Sequence, residues 1–189
     1  MVKVKHLLIG LMCVALLLAA AWWLSRDFWR EQARAYARGT LEVAAENYGS
    51  LLPEIDRIEL SVIGSGTASV TNGFPERVGR LAYYPILSQK TLTGDDAQEF
   101  RKRWRAMTFS WALSGLCHEP AYGLRFYNDK KLIFETTVCW KCSNFYVSTP
   151  LGYTYCGFDR KNPQAHAVLE LLQKHAPLPE QTKGSGLGI

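Results

Sequence analysis

The chain has 189 residues, 48% of them apolar and 21% charged, enough for one domain with a core plus an N-terminal segment but short for two domains. Its formal charge is +5, yet Lys3 and Lys5 precede an apolar run, and the remainder holds 20 Lys and Arg against 17 Asp and Glu. So balanced a remainder excludes the basic stripe of a nucleic-acid-binding protein, and the composition excludes a disordered chain.

From Leu7 to Leu24 the sequence carries no charge and reads LLIGLMCVALLLAAAWWL, close to the shortest helix that crosses a bilayer. Trp22 and Trp23 close the run as an interfacial aromatic belt would. Residues 1–24 are therefore expected to be a membrane anchor, in the manner of a single-pass protein of the bacterial inner membrane with its domain facing the periplasm or cell exterior. A cleaved secretory signal is the alternative, with Ala19-Ala20-Ala21 as small residues at a cleavage site. Arg26, Arg30, Arg34 and Arg38 on the far side weigh against the positive-inside pattern. Cys13, behind Gly-Leu-Met, reads as a small lipid-facing residue.

Residues 25–49 have helical spacing, with Trp29, Ala33, Tyr36, Ala37, Ala44 and Tyr48 near one stripe, and predict a juxtamembrane helix stopped by Gly49 and Pro53. Residues 50–179 form the expected domain. Arg57–Ile63 alternates Ile58, Leu60 and Val62 with more polar neighbours and predicts a strand, ended by Gly64-Ser65-Gly66. That glycine pair lacks a third glycine and a following helix, so it is a loop rather than a nucleotide site. A second extended stretch is expected over 80–92. Thr93-Gly94-Asp95-Asp96 has the spacing of a capping box, and Ala97, Phe100, Trp104 and Met107 follow at helical intervals. Arg101, Lys102, Arg103 and Arg105 read as the solvated face of that helix, or as a patch for anionic lipid heads or an acidic partner.

The second half predicts a hairpin, Tyr122–Tyr127 and Leu132–Cys139 around a turn at Asn128-Asp129-Lys130, with Leu132, Phe134, Thr136 and Val138 on one face. Phe145–Ser148 and Gly152–Phe158 add strands. Asn162 as N-cap and Pro163 at the first helical position open a closing helix bearing Val168, Leu171, Leu172 and His175, which Pro177 and Pro179 stop. Residues 180–189 are Gly-rich and expected to be a flexible tail. This order of elements predicts an α+β fold: an N-terminal transmembrane helix, then a mainly antiparallel sheet with helices packed on one face.

Four cysteines, Cys117, Cys139, Cys142 and Cys156, fall within about forty residues of the exported part. Beyond the membrane such an even set points to structural disulfides, with three possible pairings. Two alternatives stand beside that. Cys139-Trp140-Lys141-Cys142 has the spacing of a thiol oxidoreductase, although Ser143–Val147 reads as strand where such a motif opens a helix. A turn-borne C-x-x-C is also half of a zinc knuckle, which Cys117 with His118 or Cys156 would complete. His118, Pro120 and Tyr122 are expected in a turn, with His118 hydrogen-bonded rather than catalytic.

Cys117-His118-Glu119-Pro120-Ala121-Tyr122-Gly123-Leu124-Arg125-Phe126, followed by Val138-Cys139-Trp140-Lys141-Cys142, resembles a group of uncharacterised bacterial exported or membrane-anchored proteins. That group pairs a Cys-(His/aromatic)-x-Pro stretch with a later Cys-aromatic-x-Cys, over about 30 residues. The resemblance implies one local unit of Cys117, Pro120, Cys139 and Cys142, a hairpin stapled or metal-clipped at its open end, with Cys156 outside it. The sequence thus points to an accessory or binding domain of the cell envelope without catalytic residues, whose partners are the membrane and an envelope protein and not nucleic acid. It needs no cofactor unless the zinc alternative holds.

Overall fold

The structure is a computed structural model that describes residues 46–64, 73–75, 83–110, 118–149 and 152–179, together with single positions between 12 and 43. The chain divides into two units, Met1–Gly39 and Thr40–Ile189. In the first, Met12, Val14, Leu16, Trp22 and Trp23 are helical and 54–63% exposed. No helix among the described residues is long and apolar enough to cross a membrane. Cys13, most of the expected anchor and the expected 180–189 tail lie outside the described residues.

The second unit is α+β. A seven-stranded sheet runs in the order β4-β1-β6-β7-β8-β9-β5, built from β1 (Arg57–Ile63), β4 (Ile86–Thr93), β5 (Phe109–Ser110), β6 (Tyr122–Asn128), β7 (Lys131–Cys139), β8 (Asn144–Thr149) and β9 (Gly152–Phe158). Every pairing is antiparallel. A separate two-stranded sheet pairs β2 (Phe74–Pro75) with β3 (Tyr83–Tyr84). The extended stretch expected over 80–92 is thus two strands in different sheets. Its break falls at Pro85, which has no N–H for a ladder.

Strand alternation sorts the side chains into two layers. Ile58, Leu60 and Val62 of β1 face the same way as Tyr122, Leu124 and Phe126 of β6, Phe134 and Val138 of β7, and Phe145 of β8. These join Ala97, Phe100 and Trp104 of α1 (Gly94–Arg105) and Ala165, Val168 and Leu172 of α2 (Pro163–His175) in one core, so both helices cover one face, as predicted. Trp104 is its hub, with ring centroids 5.6 Å from Phe126 and 5.5 Å from Phe145.

Two details depart from the sequence pattern. Leu132 was expected beside Phe134, but the β6–β7 register shifts between Phe126 and Tyr127, so Phe126 opposes Phe134 while Tyr127 opposes Leu132. The extra residue turns Leu132 outward, 44% exposed, and Ile133 packs against the core instead. Thr93 does occupy the N-cap of α1 with extended backbone, but its side chain makes no capping bond. The Asn162 cap of α2 is formed, its Oδ1 accepting from Gln164 N at 2.7 Å ahead of Pro163.

The segment leading into the sheet is held by α1. A π-helical turn spans Glu46–Ser50, in place of the expected α-helical end at 49. Trp104 Nε1 donates to Tyr48 O at 2.8 Å, Arg105 Nε to Ser50 O at 2.9 Å, and Arg101 Nε to Pro53 O at 2.8 Å. Arg103 pairs with Glu99 at 2.6 Å and reaches Gln164. Three of the four basic residues expected as a solvated face or patch are therefore engaged within the domain.

Candidate functional site

The C-x-x-C lies where β7 ends and β8 begins. Cys139 is the last residue of β7, Trp140 to Ser143 make the turn, and β8 starts at Asn144, so no helix follows the motif. The turn closes through Ser143 N donating to Trp140 O at 3.1 Å, with Ser143 at a positive φ of 52°. The Trp140 ring is buried, its centroid 4.9 Å from that of Phe158.

Register decides what the cysteines can do together. Cys139 opposes Asn144, and Phe145 opposes Cys156. Residues directly opposite share a face and neighbours in sequence alternate, so Cys139 lies on the face away from the helices while Cys156 is in the core. Cys142 is disulfide-bonded, whereas Cys139 and Cys156 carry thiols. The expected pair of bridges is therefore not what the fold builds. The two thiols are separated by the sheet, so no single zinc ion reaches both, and the four-cysteine metal set fails on geometry. Cys117 lies outside the described residues, as do Ser65 and Gly66.

Cys139 Sγ accepts a hydrogen bond from Cys142 N at 3.4 Å and another from the backbone of Glu119. Burial nevertheless pushes its thiol pKa up, opposed by those two amides. Cys156 is pushed up to about 12 by burial in the core. Neither thiol is an activated nucleophile at neutral pH.

His118 is positioned by the same face. Its Nδ1 lies 2.6 Å from Asn144 Oδ1 and its Nε2 2.7 Å from Thr137 Oγ1, and its ring sits over Tyr155 with centroids 4.5 Å apart. The neutral ring with its proton on Nδ1 satisfies both contacts, donating to Asn144 and accepting from the Thr137 hydroxyl. Burial lowers its pKa to about 4, against a smaller upward effect of the Asn144 bond. A ring so engaged is a peg for the 118–120 segment, with no nitrogen left for proton transfer. Lys141 Nζ pairs with Glu119 at 3.1 Å and ties that segment to the turn.

Pro120 is buried beside His118, but Tyr122 is not in the expected turn: it is the first residue of β6 and points into the core. Burial raises its pKa to about 12, and its hydroxyl finds no hydrogen-bond partner among the described residues. Asn144, Thr137 and Tyr155, which hold His118, were not singled out from the sequence. Strand parity offered one signal, since Thr137 and Cys139 must share a face if Leu132–Cys139 is a strand.

The rest of this face is a self-paired charged ladder. Arg125 pairs with Glu135 at 2.6 Å, Tyr127 Oη donates to Glu59 at 3.0 Å, and the Arg57 guanidinium lies 3.8 Å from the Tyr127 ring centre. Phe74 packs over Gly123, and Arg125 stacks on the Phe74 ring at 4.5 Å. No protein-family model, no curated protein and no solved structure matches the chain.

Proposed function

We propose that the protein is a membrane-anchored, extracytoplasmic accessory or binding domain of the bacterial envelope, non-enzymatic, whose cysteine region is a structural staple. The observation that carries this is the exposure of Met12, Val14, Leu16, Trp22 and Trp23 on helical backbone, outside a core that draws its buried residues from Leu52 to Leu178. Large apolar side chains on a helix that the domain does not need for its own core call for another apolar medium, and the uncharged Leu7–Leu24 run supplies the rest of a span.

A disulfide at Cys142 fits a compartment that is oxidising. The backbone bond from Glu119 to Cys139 sets the 118–120 segment beside the turn. Because the His118 ring is occupied on both nitrogens, the residues beside the cysteines serve to rigidify the hairpin that an envelope partner meets.

The test is fractionation of the producing cell. The full chain is expected in the membrane pellet after alkaline carbonate washing, with its own N-terminus and with the domain digested by protease added outside spheroplasts. A soluble form starting near Trp22 would replace the anchor with a cleaved signal, and protection from outside protease would reverse the topology. Insulin reduction is expected at the dithiothreitol background, and turnover above it would overturn the non-enzymatic reading.

A further inference from the structure

The strand order leaves β4 and β5 at the edges of the large sheet, and the two differ in what they offer a passing chain. β5 is Phe109–Ser110 alone, while β4 runs from Ile86 to Thr93. A short edge templates nothing, and a long one is ordinarily covered. β4 is uncovered: residues 87–91 are all exposed, and nothing lies within 4 Å of where a β-carbon on Gly94 would sit at its end. Register tells which main-chain groups face outward. Ile63 N donates to Ala121 O at 3.0 Å, so 63 and 121 are a hydrogen-bonded pair of the β1–β6 ladder, and Ile58, Leu60 and Val62 turn their amides and carbonyls to β4. Gly64 N, of the same parity, donates to Pro85 O at 2.9 Å. Opposite them Ser88, Lys90 and Leu92 face β1, which leaves the N–H and C=O groups of Gln89 and Thr91 directed away from the sheet. No main-chain bond outside the ladder engages Gln89 or Thr91 among the described residues.

Side chains set what fits there. Lys90 and Leu92 share the face on which Leu60 and Ile58 lie, yet Leu92 is buried in the core while Lys90 is exposed and enters no ion pair among the described residues. Asp95 and Asp96, in the first turn of α1, place negative charge just past the end of the strand. We propose that β4 is a strand-addition site for an extended peptide segment of a protein partner, antiparallel to β4, with a carboxylate side chain facing Lys90, an aliphatic one facing Leu92 and a basic one beside Asp95 and Asp96. The main chain supplies the pairing through Gln89 and Thr91, and the alternate side chains supply the selectivity. Charge complementarity selects this occupant over a second copy of the chain. Every two-fold register that joins Gln89 and Thr91 among themselves sets Lys90 opposite or diagonal to its counterpart, like charges within reach on one face. The site is separate from the cysteine hairpin, goes beyond the accessory-domain reading and does not depend on the anchor.

The experiment titrates the full chain in detergent into a fluorescein-labelled peptide, Lys-Thr-Val-Thr-Glu-Thr-Val-Thr, and follows fluorescence anisotropy. Saturable binding is expected, and exchanging the peptide's glutamate for lysine should weaken it about fivefold or more, because like charges directly opposite each other are destabilising. N-methylation of the two threonines that flank the glutamate should abolish binding, since their amides pair with Gln89 and Thr91. N-methylation of the glutamate, whose amide points away from β4, should leave binding in place. On the protein, Lys90→Glu should reverse the preference between the two peptides. Thr91→Pro removes an outward N–H at a position where a strand edge accepts proline, and should remove binding. Thermal unfolding shows whether the variants fold, and if Thr91→Pro does not, the methylated peptides still decide. Absence of saturable binding, or binding indifferent to methylation of the flanking threonines, would overturn the proposal. Dimerisation of the full chain in sedimentation that Thr91→Pro abolishes would also overturn it, by giving the edge to a second copy.

Discussion

The ring of Phe74 packs so close to Gly123 that a β-carbon at position 123 would clash with three of its ring carbons. Gly123, the second residue of β6, is paired on both sides, opposite Ser61 and opposite Thr137, and there a glycine otherwise weakens a strand. Its presence lets the β2–β3 hairpin dock on the face that the helices leave open. Gly123→Ala should therefore destabilise the domain by about 1 to 3 kcal/mol through overpacking. In Phe74→Leu the same substitution should cost less, a non-additivity that a double-mutant cycle by urea denaturation measures. Equal costs in both backgrounds would show that the ring is not what excludes the β-carbon.

His118 sets a pH window. Its pKa falls from 6.5 in the unfolded chain to about 4 in the fold. The unfolded state therefore binds the extra proton first as pH falls. The stabilisation is fully present above about pH 6.5 and is lost as pH drops toward 4, by on the order of 2 to 3 kcal/mol in all. Denaturation midpoints at pH 7.5 and 4.5 should differ in the wild type and differ less in His118→Gln. Identical pH profiles in the two proteins would remove His118 as the cause.

The cysteines should separate by role. Cys142→Ser breaks the bridge and should cost roughly 2 to 5 kcal/mol under oxidising conditions, with the cost vanishing when both proteins are measured in excess reductant. Cys156→Ala removes only a core sulfur and should lower stability equally with and without reductant. Thermal unfolding under both conditions reads the difference.

Helix caps give a second contrast. Asn162→Ala removes a formed cap bond and should cost about 1 kcal/mol, while Thr93→Ala removes none and should cost a few tenths. A Thr93 penalty as large as that of Asn162 would mean that its hydroxyl caps α1 in solution.

Local signals were legible in the sequence where they decide structure alone. Alternation of Ile58, Leu60 and Val62 fixes β1 to its observed ends, and Asn162-Pro163 marks the start of α2 without any tertiary information. Thr93 had the right spacing for a capping box, but spacing says nothing of the rotamer that the neighbouring strand permits. Leu132 misled because a bulge resets parity, and a bulge is a property of two strands together. The same limit hid the cysteine site. The turn position of the C-x-x-C follows from the strand-like residues after Cys142. That Cys139 and Cys156 lie on opposite faces depends on pairing Cys139 with Asn144 and Cys156 with Phe145, which no single strand encodes. His118 could be read as hydrogen-bonded, but its partners Asn144 and Thr137 come from two other strands.

The grip of α1 on the entry segment has a consequence for how freely that segment can drift. Trp104, Arg105 and Arg101 all hold it by main-chain oxygens, those of Tyr48, Ser50 and Pro53, and Gln98 holds the Ile55 oxygen in the same way at 2.6 Å. A carbonyl is present whatever residue supplies it. The side chains at 50 and 53 are both exposed, so they can be exchanged without loosening the attachment, whereas Trp104 cannot. Evolution is thus left with an entry stretch whose side chains at 50 and 53 are open to substitution and a helix that must stay fixed.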